Sequence, residues 1–85
     1  MAQTYTSCVC DTDEVKCNKI ACDNYASAGI FHDIPGDAVG PPSTFENGRC
    51  HAIYNNNGQF IEFQGLDPKE FEAQCRKACN TGSTC

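Results

Sequence analysis

The chain has 85 residues, eight of them cysteine, and a formal net charge of −5 at pH 7. With only six basic residues it lacks the clustered lysine and arginine from which nucleic-acid binding draws most of its affinity. No apolar run approaches the roughly 20 residues that span a bilayer, so we expect neither a nucleic-acid partner nor a membrane span.

Eight cysteines in a chain of this length are typical of a disulfide scaffold. A domain this small buries too little apolar surface to fold stably by packing alone, and each cross-link typically adds about 2–4 kcal/mol. Because disulfides persist only where thiols oxidise, the composition predicts a single cysteine-rich secreted domain over residues 1–85. The sequence carries no basic segment followed by an apolar leader segment, so we expect a mature form whose Met1, with or without Ala2, was added for expression. The expected half-cystines are Cys8, Cys10, Cys17, Cys22, Cys50, Cys75, Cys79 and Cys85.

Zinc binding is the alternative use of these thiols, because several lie close together in sequence and His32 and His51 are available. Structural zinc sites usually place paired C-x2-C or H-x3-H spacings on tight turns. Here Cys75 and Cys79 lie in a helical pattern and Cys50 in a strand pattern. The spacings therefore favour disulfides, and we expect no metal ion and no cofactor.

Residues 4–10 alternate in β-favouring types and predict a first strand. Cys8 and Cys10 then point to the same face, which makes them poor partners for each other. We expect the terminal Cys85 to bond near this strand, while the sequence leaves the other pairings open.

A helix is predicted after the first strand, with Asp11 or Thr12 as its N-terminal cap. The helical pattern runs to Ala28, and Gly29 ends it. One side of this helix is apolar and is predicted to face inward; it carries Val15, Cys17, Ala21, Cys22, Tyr25, Ala26 and Ala28.

Residues 29–48 are rich in proline and glycine and are predicted to form one long loop. Loops of this length in small domains are usually functional or mobile. Their apolar side chains either fold back onto the edge of the domain, which we favour, or form a partner-binding surface. These side chains are Ile30, Phe31, Ile34 and Val39.

Residues 49–64 predict a β-hairpin, because Asn57-Gly58 suits a type I′ turn in which both central residues need positive φ. A two-residue turn fixes the register and therefore the two faces of the hairpin. The core face should carry Cys50, Ala52 opposite Phe63, and Tyr54 opposite Ile61; the outer face should carry Arg49, His51, Ile53, Phe60, Glu62 and Gln64.

A second helix is predicted from Asp67-Pro68-Lys69-Glu70, which combines an N-cap, a proline at the first helical position and an acidic residue three places later. It should extend to about Cys79, followed by a short strand or tail. The order strand, helix, hairpin, helix, strand predicts an α+β fold, a two-layer sandwich with both helices on one face of an antiparallel sheet. The inward stripe of this helix is Phe71, Cys75, Ala78 and Cys79.

The outer hairpin face offers one hypothesis of catalysis. His51 is diagonal to Glu62 in the predicted register, with Arg49 close by, a set that could supply a base, an acid and an anion-stabilising group. Charged side chains on an exposed sheet face more often only interact with water, and an acidic chain repels anionic substrates. We therefore expect no enzyme.

The same face carries two large apolar residues, Ile53 and Phe60, which suggests a contact surface. A homodimer would bury both residues under a polar rim of Arg49, His51 and Glu62. Ordinary surface scatter, or coverage by the long loop, would also account for them.

The cysteine density, the early C-x-C, the R-C-H-A-I-Y-N-N-N-G-Q-F hairpin and the D-P-K-E-F-E-A-Q-C-R-K-A-C helix resemble small cysteine-rich secreted proteins of filamentous fungi, several with a killer-toxin-like α/β sandwich. This resemblance implies an effector or elicitor that binds, or is recognised by, a host or competitor component without catalysis. It also implies, as an alternative, a killer-toxin-like or antimicrobial protein.

Residues 8–64 have a second resemblance, to fungal guanyl-specific ribonucleases, through A-G-I-F-H-D-I-P-G-D-A-V-G and A-I-Y-N-N-N-G-Q-F. That family places Glu, Arg and His on one sheet face, which here would correspond to Glu62, Arg49 and His51. Its late T-H-x-G histidine has no counterpart at Phe63-Gln64-Gly65. The resemblance therefore implies at most an inactive relative.

Overall fold

The computed structural model describes residues 3–29, 31–32 and 44–85. It confirms the α+β fold class, with two helices and antiparallel β-structure. No helix within the described residues is both long and apolar enough to cross a membrane. In chain order the elements are β1 (Ser7–Cys10), α1 (Val15–Ala28), β2 (Thr44–Glu46), β3 (Arg49–His51), β4 (Ile53–Asn56), β5 (Gln59–Glu62), α2 (Pro68–Cys79) and β6 (Ser83–Thr84).

Four strands form the main sheet, in the order β2-β3-β1-β6 and antiparallel throughout. In the register of this sheet, Cys50 pairs with Cys8 on one side and with Phe45 on the other. Residues that pair directly share a face, and alternate residues of a strand do so too. Cys8, Cys10, Cys50 and Phe45 therefore share one face, and that face is turned to the core.

Three disulfides connect this face to the rest of the chain, and a fourth joins the two helices. Because Cys10 bonds to α2 and Cys50 bonds to α1, both helices lie on the same face of the sheet, as predicted. The bond to Cys85 confirms the expected link between the terminal cysteine and the first strand. No cysteine is free, so the zinc alternative for these thiols is wrong. The bonds are Cys8–Cys85, Cys10–Cys75, Cys17–Cys79 and Cys22–Cys50.

The helix α1 begins later than predicted. Its N-cap is Glu14, which makes no side-chain capping bond, and Asp11 and Thr12 lie before the helix. Asp11 is instead held by the C-terminal segment, since its N–H donates to the Gly82 carbonyl and its Oδ1 accepts from Thr84 Oγ1 at 2.6 Å. Asp11 is thus used for contacts with a distant segment and does not cap the helix.

The buried Asn18 joins β1 to α1. Its Oδ1 accepts the Cys10 N–H at 2.8 Å, and its Nδ2 donates to the Thr12 and Glu14 carbonyls. The buried part of α1 extends from Cys17 to Tyr25. The predicted inward positions Val15 and Ala28 lie beyond the two ends of that stretch and are exposed, which corrects the prediction.

Residues 29–48 are not all loop, because β2 lies within them and forms a hairpin with β3. The turn is Asn47-Gly48, with φ values of 53° and 75°, as a type I′ turn requires. Phe31 is buried with 8% of its surface exposed, which agrees with packing against the domain. Ile30, Ile34 and Val39 lie outside the described residues.

The predicted hairpin register is confirmed, with Asn56 opposite Gln59 and Tyr54 opposite Ile61. Its first strand is interrupted, however, at the fully buried Ala52. The Ala52 N–H donates to the Thr6 carbonyl at 2.8 Å, and its carbonyl accepts the Phe63 N–H at 3.0 Å. As a result β3 joins the main sheet, while β4 and β5 form a separate two-stranded ribbon.

The helix α2 agrees with its prediction at both ends. Asp67 Oδ1 accepts the N–H groups of Lys69 and Glu70 at 2.9 and 3.3 Å. Cys79 is its last residue, and Asn80 follows in the left-handed conformation at φ 57°. Of the predicted inward stripe, Phe71 and Cys75 are fully buried and Ala78 and Cys79 are half-buried.

Candidate functional site

Two of the predicted interface residues, Arg49 and His51, lie on the outer face of the main sheet. Arg49 Nε donates to Ser7 Oγ at 3.2 Å, and His51 Nε2 donates to the Glu46 carbonyl at 3.3 Å. Both side chains are half-buried. These contacts hold the two side chains against neighbouring strands of their own sheet.

The other three, Ile53, Phe60 and Glu62, lie on the β4–β5 ribbon. Ile53 pairs with Glu62, and Asn55 pairs with Phe60, so these four side chains share one face. Phe60 is exposed over 72% of its surface. We call Ile53, Phe60 and Glu62 the ribbon surface.

The structure therefore divides the predicted interface between two sheets, and the division affects the hypothesis of catalysis. Among the described residues no ion pair joins His51 to Glu62, and His51 Nε2 is occupied by the Glu46 carbonyl. The ribbon surface presents an exposed aromatic ring beside an aliphatic side chain and a carboxylate. Such a surface is suited to contact with another molecule.

The opposite face of the ribbon is anchored to the core through a row of aromatic rings. Tyr54 lies 5.7 Å from Phe63, Phe63 lies 6.1 Å from Phe31, and Phe31 lies 4.8 Å from Tyr25, between ring centroids. The row ends on Phe71, 5.8 Å from Tyr25. The ribbon is thus attached by side-chain packing, with its other face left outward.

The hydroxyl of Tyr25 makes two buried hydrogen bonds to the backbone. It accepts the Asp67 N–H at 2.9 Å and donates to the Gly65 carbonyl at 3.4 Å. Burial raises the pKa of Tyr25 to about 12; the hydrogen bond from the Asp67 backbone N–H lowers it, and the charges of Glu70 and Asp67 raise it. Tyr25 therefore keeps its proton and serves as a structural hydrogen-bonding group.

A second group of side chains meets at the start of α2 and was not predicted from the sequence. His32 Nε2 lies 3.4 Å from Glu70 Oε2 and 3.7 Å from Asp67 Oδ2. One ligand-type atom from each residue lies within 4.8 Å of the others. Asp67 and Glu70 were recognisable as helix-start residues. His32 lies in a distant segment that has no regular sequence pattern, so the spacing of these residues did not predict the group.

Comparison of the chain with protein-family models, with curated proteins and with solved structures found no match. The case for function therefore depends on the residues and geometry described above.

Proposed function

We propose that this chain is a secreted, cysteine-rich effector- or elicitor-like protein of a filamentous fungus, which acts by binding a host or competitor protein and not by catalysis. The observation that carries the proposal is the exposure of Phe60 on a ribbon whose opposite face is packed into a disulfide-linked domain. A large apolar ring held in water by a rigid fold is a favourable anchor for a protein partner.

Four disulfides in a chain of this size support the secreted location, since such bonds persist in oxidising compartments. They also hold the domain folded in an extracellular fluid that contains proteases. Arg49 and His51 lie on the outer face of the main sheet, where both side chains are hydrogen-bonded to neighbouring strands. These hydrogen bonds favour binding over catalysis at the outer face of the main sheet.

The test is infiltration of plant leaf tissue with oxidised protein, with ion leakage as the measure of a defence response. We expect Phe60→Ser to reduce the response about tenfold or more, because removal of a central aromatic anchor typically costs at least 2 kcal/mol of binding. Val15→Ser is the matched control, because Val15 is a similarly exposed apolar residue, at 59%, on α1. Equal activity of Phe60→Ser and the native protein would remove the ribbon surface from the proposal.

Sedimentation of the oxidised protein tests the homodimer that the ribbon surface could form instead. A 9.2 kDa species at micromolar concentration would leave the ribbon surface free for a different protein. A dimer that dissociates on Phe60→Ser would assign the surface to self-contact.

A further inference from the structure

We propose that His32, Asp67 and Glu70 form a binding site for a divalent transition-metal ion of the zinc type. The three residues bring one imidazole nitrogen and two carboxylate oxygens within 4.8 Å of one another. Nitrogen and oxygen donors in this combination suit zinc, whereas calcium and magnesium prefer oxygen donors alone.

The two distances from His32 are close to the edges of a small coordination polyhedron. A tetrahedral zinc ion with ligands at about 2.1 Å separates its ligand atoms by roughly 3.4 Å. His32 Nε2 lies 3.4 Å from Glu70 Oε2 and 3.7 Å from Asp67 Oδ2. Only small side-chain shifts are needed for all three atoms to contact one ion, and water would supply the fourth ligand.

Asp67 is oriented toward the site before any ion binds. It is buried, with 8% of its surface exposed, and its Oδ1 is used to accept the Lys69 and Glu70 N–H groups. Its other oxygen, Oδ2, accepts no hydrogen bond from a described residue and faces His32. A carboxylate oxygen that faces His32 and is not used for capping is a ready ligand.

His32 is also held in place. The backbone N–H of His32 donates to the Gly65 carbonyl at 2.9 Å, and the preceding Phe31 is buried against Tyr25. Glu70 stands on the first turn of α2, beside Asp67. The side chains of His32 and Glu70 are 45% and 44% exposed, so an ion can reach the site from solvent.

The alternative is an ion pair, in which a protonated His32 contacts both carboxylates and no metal binds. The two arrangements exclude each other, because a metal ligand must be the deprotonated imidazole. The site shares no residue with the ribbon surface, so the outcome of the metal-binding test is independent of the proposed function.

The experiment is a calorimetric titration of the oxidised native protein with zinc chloride, with calcium chloride as the comparison ion. No free thiol is present to bind zinc, and the chain has two histidines, which provides a matched pair of variants. We expect one equivalent of zinc to bind, His32→Gln to weaken binding at least tenfold, and His51→Gln to leave it unchanged. Calcium should bind at least tenfold more weakly than zinc.

Nuclear magnetic resonance supplies a second readout, since zinc should shift the His32 Nε2 resonance and leave that of His51 in place. Glu70→Gln should weaken binding, and Asp67→Asn should do so while retaining the helix cap, because asparagine caps as well as aspartate. Absence of saturable zinc binding, or equal weakening by His32→Gln and His51→Gln, would overturn the proposal and leave the ion pair.

Discussion

The ring of Phe63 lies directly against the Cα of Gly65, so that a Cβ built at position 65 would overlap the ring and stand 2.9 Å from its Cδ2. The Gly65 N–H donates to the Phe63 carbonyl, which closes a tight turn between the two residues. Through this contact the end of the ribbon is placed on the aromatic row that leads to Tyr25. The absence of a side chain at Gly65 thus leaves room for the ring of Phe63.

Gly65→Ala is therefore expected to destabilise the domain by about 1–3 kcal/mol, the usual cost of overpacking a well-packed site. Chemical denaturation of the oxidised protein measures the loss. If the ring causes it, Phe63→Leu combined with Gly65→Ala should cost less than the sum of the two single changes. Simple additivity would show that backbone conformation, and not the ring, is responsible.

Tyr25→Phe should lower the free energy of unfolding by about 1–3 kcal/mol. The change leaves the buried Asp67 N–H and Gly65 carbonyl without the hydroxyl that they contact. Tyr54→Phe is the control, because the Tyr54 hydroxyl makes no hydrogen bond to a described residue, and it should cost less than about 0.5 kcal/mol. A comparable loss from both changes would contradict this assignment.

Alkaline pH should destabilise the domain through Tyr25. Its pKa is about 12 in the folded chain against an ordinary 10.0, so between these values the unfolded chain releases a proton that the folded chain keeps. The ionisation of Tyr25 therefore leaves the free energy of unfolding unchanged below about pH 10. Between about pH 10 and pH 12 it lowers that free energy by up to about 1.4 kcal/mol per pH unit. Near-ultraviolet titration should show a late phenolate step that Tyr25→Phe removes; its persistence in that variant would refute the prediction.

Gly48→Ala and Gly58→Ala place the same strain in two turns of the same kind. Both glycines have positive φ, 75° and 90°, so an added Cβ should cost about 1–2 kcal/mol locally. Gly48 connects two strands of the main sheet, whereas Gly58 ends the peripheral ribbon. We expect Gly48→Ala to lower the global unfolding midpoint and Gly58→Ala mainly to speed amide exchange in the ribbon. Equal midpoints for the two variants would indicate that the ribbon unfolds with the core.

Mild reduction should open the disulfides in an order set by burial, because a reductant must reach the sulfur that it attacks. Two bonds have a half-buried cysteine at one end, and the other two are buried at both ends. Brief reduction followed by alkylation and mass mapping should label the first pair before the second; simultaneous labelling would mean that one opening unfolds the whole domain. The early pair is Cys8–Cys85 and Cys17–Cys79, and the late pair is Cys10–Cys75 and Cys22–Cys50.

Features that depend on neighbouring residues were predictable from the sequence. Asn57-Gly58 set the ribbon register, and Asp67-Pro68 set the start of α2, because both signals act within one turn of backbone. The equivalent turn at Asn47-Gly48 was missed, since β2 has only three residues and shows no readable alternation.

Several features that depend on single contacts between distant residues were not predictable. Asp11 was available as a helix cap but is held by Thr84, and Ala52 breaks a continuous strand pattern because its N–H bonds to Thr6. His32 meets Asp67 only after the chain has folded. Sequence patterns of secondary structure do not describe contacts between distant residues. The candidate metal site could therefore be found only from the three-dimensional structure.

The disulfide pairing also determines how the molecule can be made. A ribosome builds the chain from its N-terminus, and only the bond between Cys22 and Cys50, 28 residues apart, can close early in synthesis. The other three bonds span 62 to 77 residues and each needs a cysteine from the C-terminal segment. Until that segment has been synthesised, three upstream thiols, those of Cys8, Cys10 and Cys17, have no native partner and can pair wrongly with one another. Native pairing can therefore be completed only after Cys75, Cys79 and Cys85 have been made, with a disulfide isomerase as the natural corrector of premature pairs.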